Sequence, residues 1–175
     1  VLRKRLGLEN NTVRLTDYQP DWEAAFSEEQ ARLREVLGDT VLGVEHIGST
    51  AVPGLSAKPI LDIGVAVRDF GETFATVRPL ERLGYIFRGE KGIPLRHYFV
   101  KGPPERRTHH LHMLEESSLE WRNLLRFRDH LRTHPEAAAA YEALKLELAG
   151  QFPKDREAYT GGKHDFIRAT LNRAE

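Results

Sequence analysis

The feature that most restricts what this chain can fold into is a change of hydrophobic period near Ser117. Between Val41 and Leu114 the apolar residues come mostly in short runs cut by glycine and proline, the rhythm of strands. After Ser117 they recur three and four residues apart, the rhythm of helices. Val41–Ile47 and Ile60–Val67 read as buried strands, with Tyr85–Arg88, His97–Val100 and His109–Leu114 as three further short ones. An amphipathic helix over Asp21–Leu37 carries Trp22, Phe26, Leu33 and Leu37 on one stripe, with Pro20 at its start and Gly38 at its end. A second helix is expected over Phe70–Leu83. The pattern past Ser117 predicts one helix bearing Trp121, Leu124, Leu125, Phe127 and Leu131, and another bearing Ala140, Tyr141, Leu144 and Leu148. Ser117–Glu120 and Thr133–Glu136 have capping-box spacing at their starts. A last helix runs to about Asn172, interrupted at Gly161–Gly162. Strands gathered first and helices last describe an α+β chain, not a regular βαβ alternation.

A length of 175 residues suits one domain, with an α/β core over about 15–115 and a helical C-terminal subdomain over about 117–173. Twenty-six Lys plus Arg balance 26 Asp plus Glu, which argues against a basic nucleic-acid coat while leaving a local basic patch open. The absence of cysteine excludes disulfides, thiolate zinc sites and cysteine nucleophiles, and fits a reducing compartment. No apolar run reaches the roughly 18–20 residues of a membrane helix. The basic start, Val1–Asn10, lacks the apolar centre of a signal peptide. A cytoplasmic protein without membrane contact is expected.

Two places carry chemistry. Gly48-Ser49 follows a strand directly, where glycine lets the backbone approach a ligand and serine offers a hydroxyl and an amide suited to phosphate. Asp62 stands inside Ile60-Leu61-Asp62-Ile63, and a carboxylate in an apolar strand is costly unless paired or bound to a metal. A tight turn and an aspartate capping nearby backbone is the alternative. His110 and His112, two apart on a strand, share a face. Of the alternating pair Glu45 and His46, His46 is expected to contact the ligand. Among the basic residues, Lys101 and Arg107 in the loop before the histidine strand, Arg96 and Tyr98 on one strand face, and Lys58, Arg128 and Lys163 are candidates for holding phosphates. Thr160-Gly161-Gly162-Lys163 is not a P-loop, since its first glycine is missing and His164 follows the lysine. His109, His130, His134 and His164 have no partner pattern and read as exposed.

Gly48-Ser49, a spacer and a strand aspartate resemble the signature of the nucleotidyltransferase (DNA polymerase β-like) superfamily. More closely, His46-Ile47-Gly48-Ser49-Thr50-Ala51-Val52-Pro53-Gly54-Leu55 with Lys58-Pro59-Ile60-Leu61-Asp62-Ile63 resembles the GrpB (UPF0157) family. The likeness continues through Tyr98-Phe99-Val100-Lys101-Gly102, His109-His110-Leu111-His112, Phe127-Arg128-Asp129 and Asp155–Thr160 with Lys163. It implies a nucleotidyltransferase-like mixed sheet flanked by helices. Active members of that superfamily carry two strand carboxylates one residue apart, which hold magnesium. Here the second position is Gly64. The resemblance therefore implies two functions. In one, a nucleoside triphosphate gives its nucleotidyl group to an acceptor, with Asp62, His110 and His112 holding a divalent metal (magnesium or manganese, with zinc also open). In the other, the chain is an inactive module that binds a nucleotide or nucleotide-like small molecule, linked to coenzyme A biosynthesis because relatives are fused to dephospho-CoA kinase.

Overall fold

A computed structural model describes residues 6–174; the first residues of the basic start, Val1–Arg5, lie outside the described part. The order is α1 (Asp21–Leu37), β1 (Val41–Ile47), β2 (Leu61–Val67), α2 (Val77–Arg82), β3 (Tyr85–Phe87), β4 (His97–Lys101), β5 (His109–Glu115), α3 (Leu119–Thr133), α4 (Pro135–Gln151), α5 (Arg156–Gly161) and α6 (His164–Arg173). The strands form one mixed sheet in the order β1-β2-β5-β4-β3, with β2 and β5 parallel and the other pairs antiparallel.

Strand alternation divides the side chains between two faces. Val44, Ile63, Val65, Phe99, Leu111 and Met113 point to the face covered by α1, where Trp22, Phe26 and Leu33 complete the main core. On the opposite face Ala66 and Leu114 form an apolar end on which Trp121 of α3 packs. Toward its other end that face carries Asp62, His110 and His112, and the C-terminal helices stand over it without filling it.

The helix expected over Phe70–Leu83 divides into a 3-10 segment, Phe70–Thr76, and the short α2. The Thr73 and Thr76 hydroxyls donate to carbonyls three residues back, and Pro79 contributes no backbone N–H, so a continuous α-helix is not favoured. Ser118, one residue past the expected cap, accepts from the Trp121 N–H at 3.1 Å. Thr133 caps nothing and instead donates to the Asp129 carbonyl. Among the described residues no helix is long and apolar enough to cross a membrane.

Candidate functional site

Parallel pairing of β2 with β5 sets Asp62 opposite His110 and Gly64 opposite His112. One carboxylate oxygen, Asp62 Oδ1, lies 3.6 Å from His110 Nδ1 and 3.4 Å from His112 Nε2. Arg96 Nη1 stands 3.3 Å from the other ring nitrogen of His112, Nδ1. A guanidinium can only donate, so Nδ1 accepts and the ring proton is assigned to Nε2, facing Asp62. Burial acts to raise the Asp62 carboxyl, but the two imidazoles outweigh it and hold the group well below the usual carboxylate range. Burial lowers the His110 imidazole, and Asp62 offsets this only in part.

The two glycines of the motif have steric explanations. A Cβ on Gly48, whose φ is 70°, would stand 2.7 Å from Asp62 Oδ2 and 3.0 Å from Asp62 Cβ. That glycine makes room for the aspartate. A Cβ on Gly64 would stand 2.8 Å from Trp121 Cζ3. The place of a second carboxylate is taken by the indole of α3.

Asp62, Gly48 and Ser49 line the floor of a cleft of about 1350 Å³ between the sheet and the C-terminal helices. Nine basic side chains line it against three carboxylates, so its electrostatic character is cationic. Lys58, Arg96, Tyr98, Arg107, His110, His112, Arg128 and Lys163 all reach it as expected from the sequence. Some of these cations are held by neutral carbonyls: Arg96 donates to the Glu90 and Lys91 carbonyls and Arg107 to the Gly102 carbonyl. Arg128 is instead paired with carboxylates, its Nε with Asp129 at 2.8 Å. Arg128 Nη1 bonds Glu45 at 2.6 Å and the His46 carbonyl at 3.1 Å.

Two expected residues are elsewhere. His46 pairs with Ile63 in register and so takes the α1 face, while Glu45 shares the face of Asp62. The His46 ring stacks on Phe26 at 4.7 Å and bonds the Thr50 hydroxyl at 2.9 Å, and burial lowers its pKa to about 4. Lys101 has the strand parity of His97 and Phe99, not of Tyr98, and its ammonium bonds buried Glu29 on the α1 side at 2.7 Å. His109, expected to be exposed, is buried beside Tyr85, whereas His164 is exposed as expected, at the edge of the cleft.

Three cleft residues were not singled out as ligand-binding. Lys145 lies on the inner stripe of α4, four residues past Tyr141 and three before Leu148, and a lysine on an apolar stripe was the available signal. It donates to the Ser56 carbonyl and is lowered to about 7, by burial first and then by Lys163. Arg156 donates to the Glu9 and Thr12 carbonyls. Tyr159 lies under two ammonium groups, Lys58 at 5.1 Å and Lys163 at 4.6 Å from its centroid.

The residue pattern and the fold agree with comparisons to known proteins. The family model described as GrpB protein matches residues 12–173. The chain belongs to the GrpB family. A UPF0157 protein of Pseudomonas aeruginosa is 41% identical over 169 residues, covering 95% of this chain and 69% of that protein. The UPF0157 protein YqkA of Bacillus subtilis is 38% identical over 93% of this chain, which spans only 47% of that protein's length. A protein of Mycolicibacterium paratuberculosis named dephospho-CoA kinase is 27% identical over 93% of this chain and 46% of its own. The crystal structure of conserved protein GrpB from Enterococcus faecalis is similar with a TM-score of 0.84 and 40% identity, over 92% of this chain and 96% of that one.

For this GrpB chain the expected metal ligands Asp62, His110 and His112 do meet, but they do not fit a resident cation. Among the described residues no group of three or more His, Asp and Glu side chains is arranged to hold a metal ion. His112 has both ring nitrogens engaged and turns a proton, not a lone pair, toward Asp62.

Proposed function

We propose that the cleft binds a phosphorylated, nucleotide-like small molecule whose phosphates lie along the cationic wall of Lys58, Lys145, Arg156 and Lys163. The observation that carries this reading is the excess of basic over acidic lining in one cleft, with several of those cations bonded only to neutral carbonyls. Such charges repel one another, and a polyanion relieves that repulsion while forming charge-assisted hydrogen bonds. The apolar side of the same cleft, with Leu124, Phe127 and Tyr141, suits a ring or chain attached to the phosphates. Dephospho-CoA enters as a test ligand because the mycobacterial relative carries that kinase name over a longer chain.

The transferase reading is the second. Asp62 at the cleft floor favours it, since a nucleoside triphosphate arriving with its own divalent cation would find a carboxylate there. Its weakness is Gly64, where Trp121 stands in the space of the partner carboxylate.

Calorimetry with ATP, GTP, dephospho-CoA and pyrophosphate, with and without EDTA, separates the two. Binding is expected to persist in EDTA and to weaken by about tenfold, roughly 1.4 kcal/mol, in Lys163→Met. Asp62→Asn is expected to leave binding intact or stronger, because it removes a negative charge from an anion site. Absence of binding by all four compounds at millimolar concentration would overturn the anion-site reading. Metal-dependent turnover lost in Asp62→Asn would favour the transferase.

A further inference from the structure

The three lysines of the cationic wall are not equivalent. Lys145 is tied to the Ser56 carbonyl. Lys163 stands at the start of α6 with its ammonium over the Tyr159 ring. Among the described residues the Lys58 ammonium has neither a hydrogen bond nor an ion pair; it rests over Tyr159, beside other cations and within electrostatic reach of Asp62. Its backbone is nonetheless held firmly. Ala57 exchanges two backbone hydrogen bonds with Thr16, at 2.9 and 3.0 Å, and the Pro59 carbonyl accepts from the Gly7 N–H at 2.8 Å. With its backbone fixed on both sides and no acceptor for its ammonium, Lys58 holds its amine at the cleft wall over the Tyr159 ring.

We infer that Lys58 is a reactive amine that forms an imine with small phosphorylated aldehydes, whose phosphate is steered to it by Lys163 and Arg156. The inference rests on the anion-site reading for the phosphate and adds the covalent step. In that step Lys58 Nζ attacks the carbonyl carbon and the new N–C bond becomes N=C. The carbonyl oxygen leaves as water with the two amine protons, so no oxidant or further reactant is needed. The electrostatic surroundings agree with the geometry. Burial, then Lys163 and Arg156, lower the Lys58 ammonium to about 7, which leaves a large share of neutral amine at neutral pH.

Pyridoxal 5′-phosphate is the probe, with pyridoxal as the control that lacks the phosphate. The full chain is mixed with each at a few equivalents, reduced with borohydride, digested and mapped by mass spectrometry. One adduct per chain on Lys58 is expected, suppressed by pyrophosphate and at least about tenfold less with pyridoxal. Lys163→Met should keep the site of reaction and lower its yield, whereas Lys58→Met should abolish it. Peptide mapping of the parent protein decides the matter even if Lys58→Met does not fold. Adducts spread over surface lysines, or an adduct on Lys145 alone, would overturn the inference. If pyrophosphate binds by calorimetry and Lys58 is still unlabelled, the reactive amine fails while the anion site stands. If pyrophosphate does not bind, the anion-site reading fails.

Discussion

At the scale of the residue, position 64 is set by a helix that docks on the sheet. The strand aspartate Asp62 was legible because a carboxylate in Ile60-Leu61-Asp62-Ile63 needs a partner, and its partners are the two strand histidines. Gly64 was legible only as a missing carboxylate. Its cause is the Trp121 indole, which arrives from a helix more than fifty residues later in the chain. Gly64→Asp should therefore overpack the α3 interface and bury a charge there. A loss of about 2–4 kcal/mol is expected, seen as a lower melting temperature with no gain in nucleotidyl transfer. A variant as stable as the parent would show that the indole yields its place freely. Lys101 and His46 illustrate the opposite limit. Strand parity separates Lys101 from Tyr98 in sequence alone, so its turn toward Glu29 could have been read. His46 could not, because which parity of β1 faces α1 depends on its register with β2.

At the scale of the element, α3 is fastened to the sheet at two points. Trp121 seats its first turn against Gly64, Ala66 and Leu114, and Arg128 two turns later bonds Glu45 and the His46 carbonyl at the end of β1. The helix must stand at this angle for the cleft to remain open beside it. Arg128→Met is expected to cost about 2 kcal/mol in denaturant unfolding, because the His46 carbonyl loses its donor. Glu45→Gln should cost less, since the Glu45 side chain is 42% exposed. Equal losses would place the fastening in the ion pair and not in the carbonyl bond. The regular elements themselves were mostly readable, α1 and β1 to the residue. The segment Phe70–Thr76 was not, because its apolar residues keep a helical spacing while its threonine hydroxyls hold three-residue turns.

At the scale of the whole molecule, a chain of zero net charge gathers nine cations around one cleft. Two of them, Lys58 and Lys145, are lowered to about 7, against an unfolded lysine near 10.4. Between those values the unfolded chain binds more protons than the folded one, so the empty protein should gain stability as pH rises through that window. Anion binding has the opposite sign. A bound dianion stabilises the protonated lysines, so binding takes up protons and weakens once the empty site has lost them. Sulfate keeps two negative charges throughout and is the suitable probe. Its affinity should be steady below about pH 6.5 and fall by several-fold toward about pH 9, with proton uptake measured in buffers of different ionisation heat. Affinity unchanged across that range would mean that neither lysine changes charge on binding.

The sequence by itself determined the α+β class, the helical C-terminal third, the family and the need of Asp62 for partners, because hydrophobic period and an apolar strand's intolerance of a lone carboxylate are local properties. Only the tertiary structure decided that Trp121 fills the space beside Gly64, that His46 and Lys101 face α1, and that Lys58, Lys145, Arg156 and Lys163 line one cleft, with Lys58 and Lys163 over the Tyr159 ring. Those outcomes depend on strand register and on where helices from the end of the chain dock. Both are set by packing between segments far apart in sequence, which no local pattern encodes.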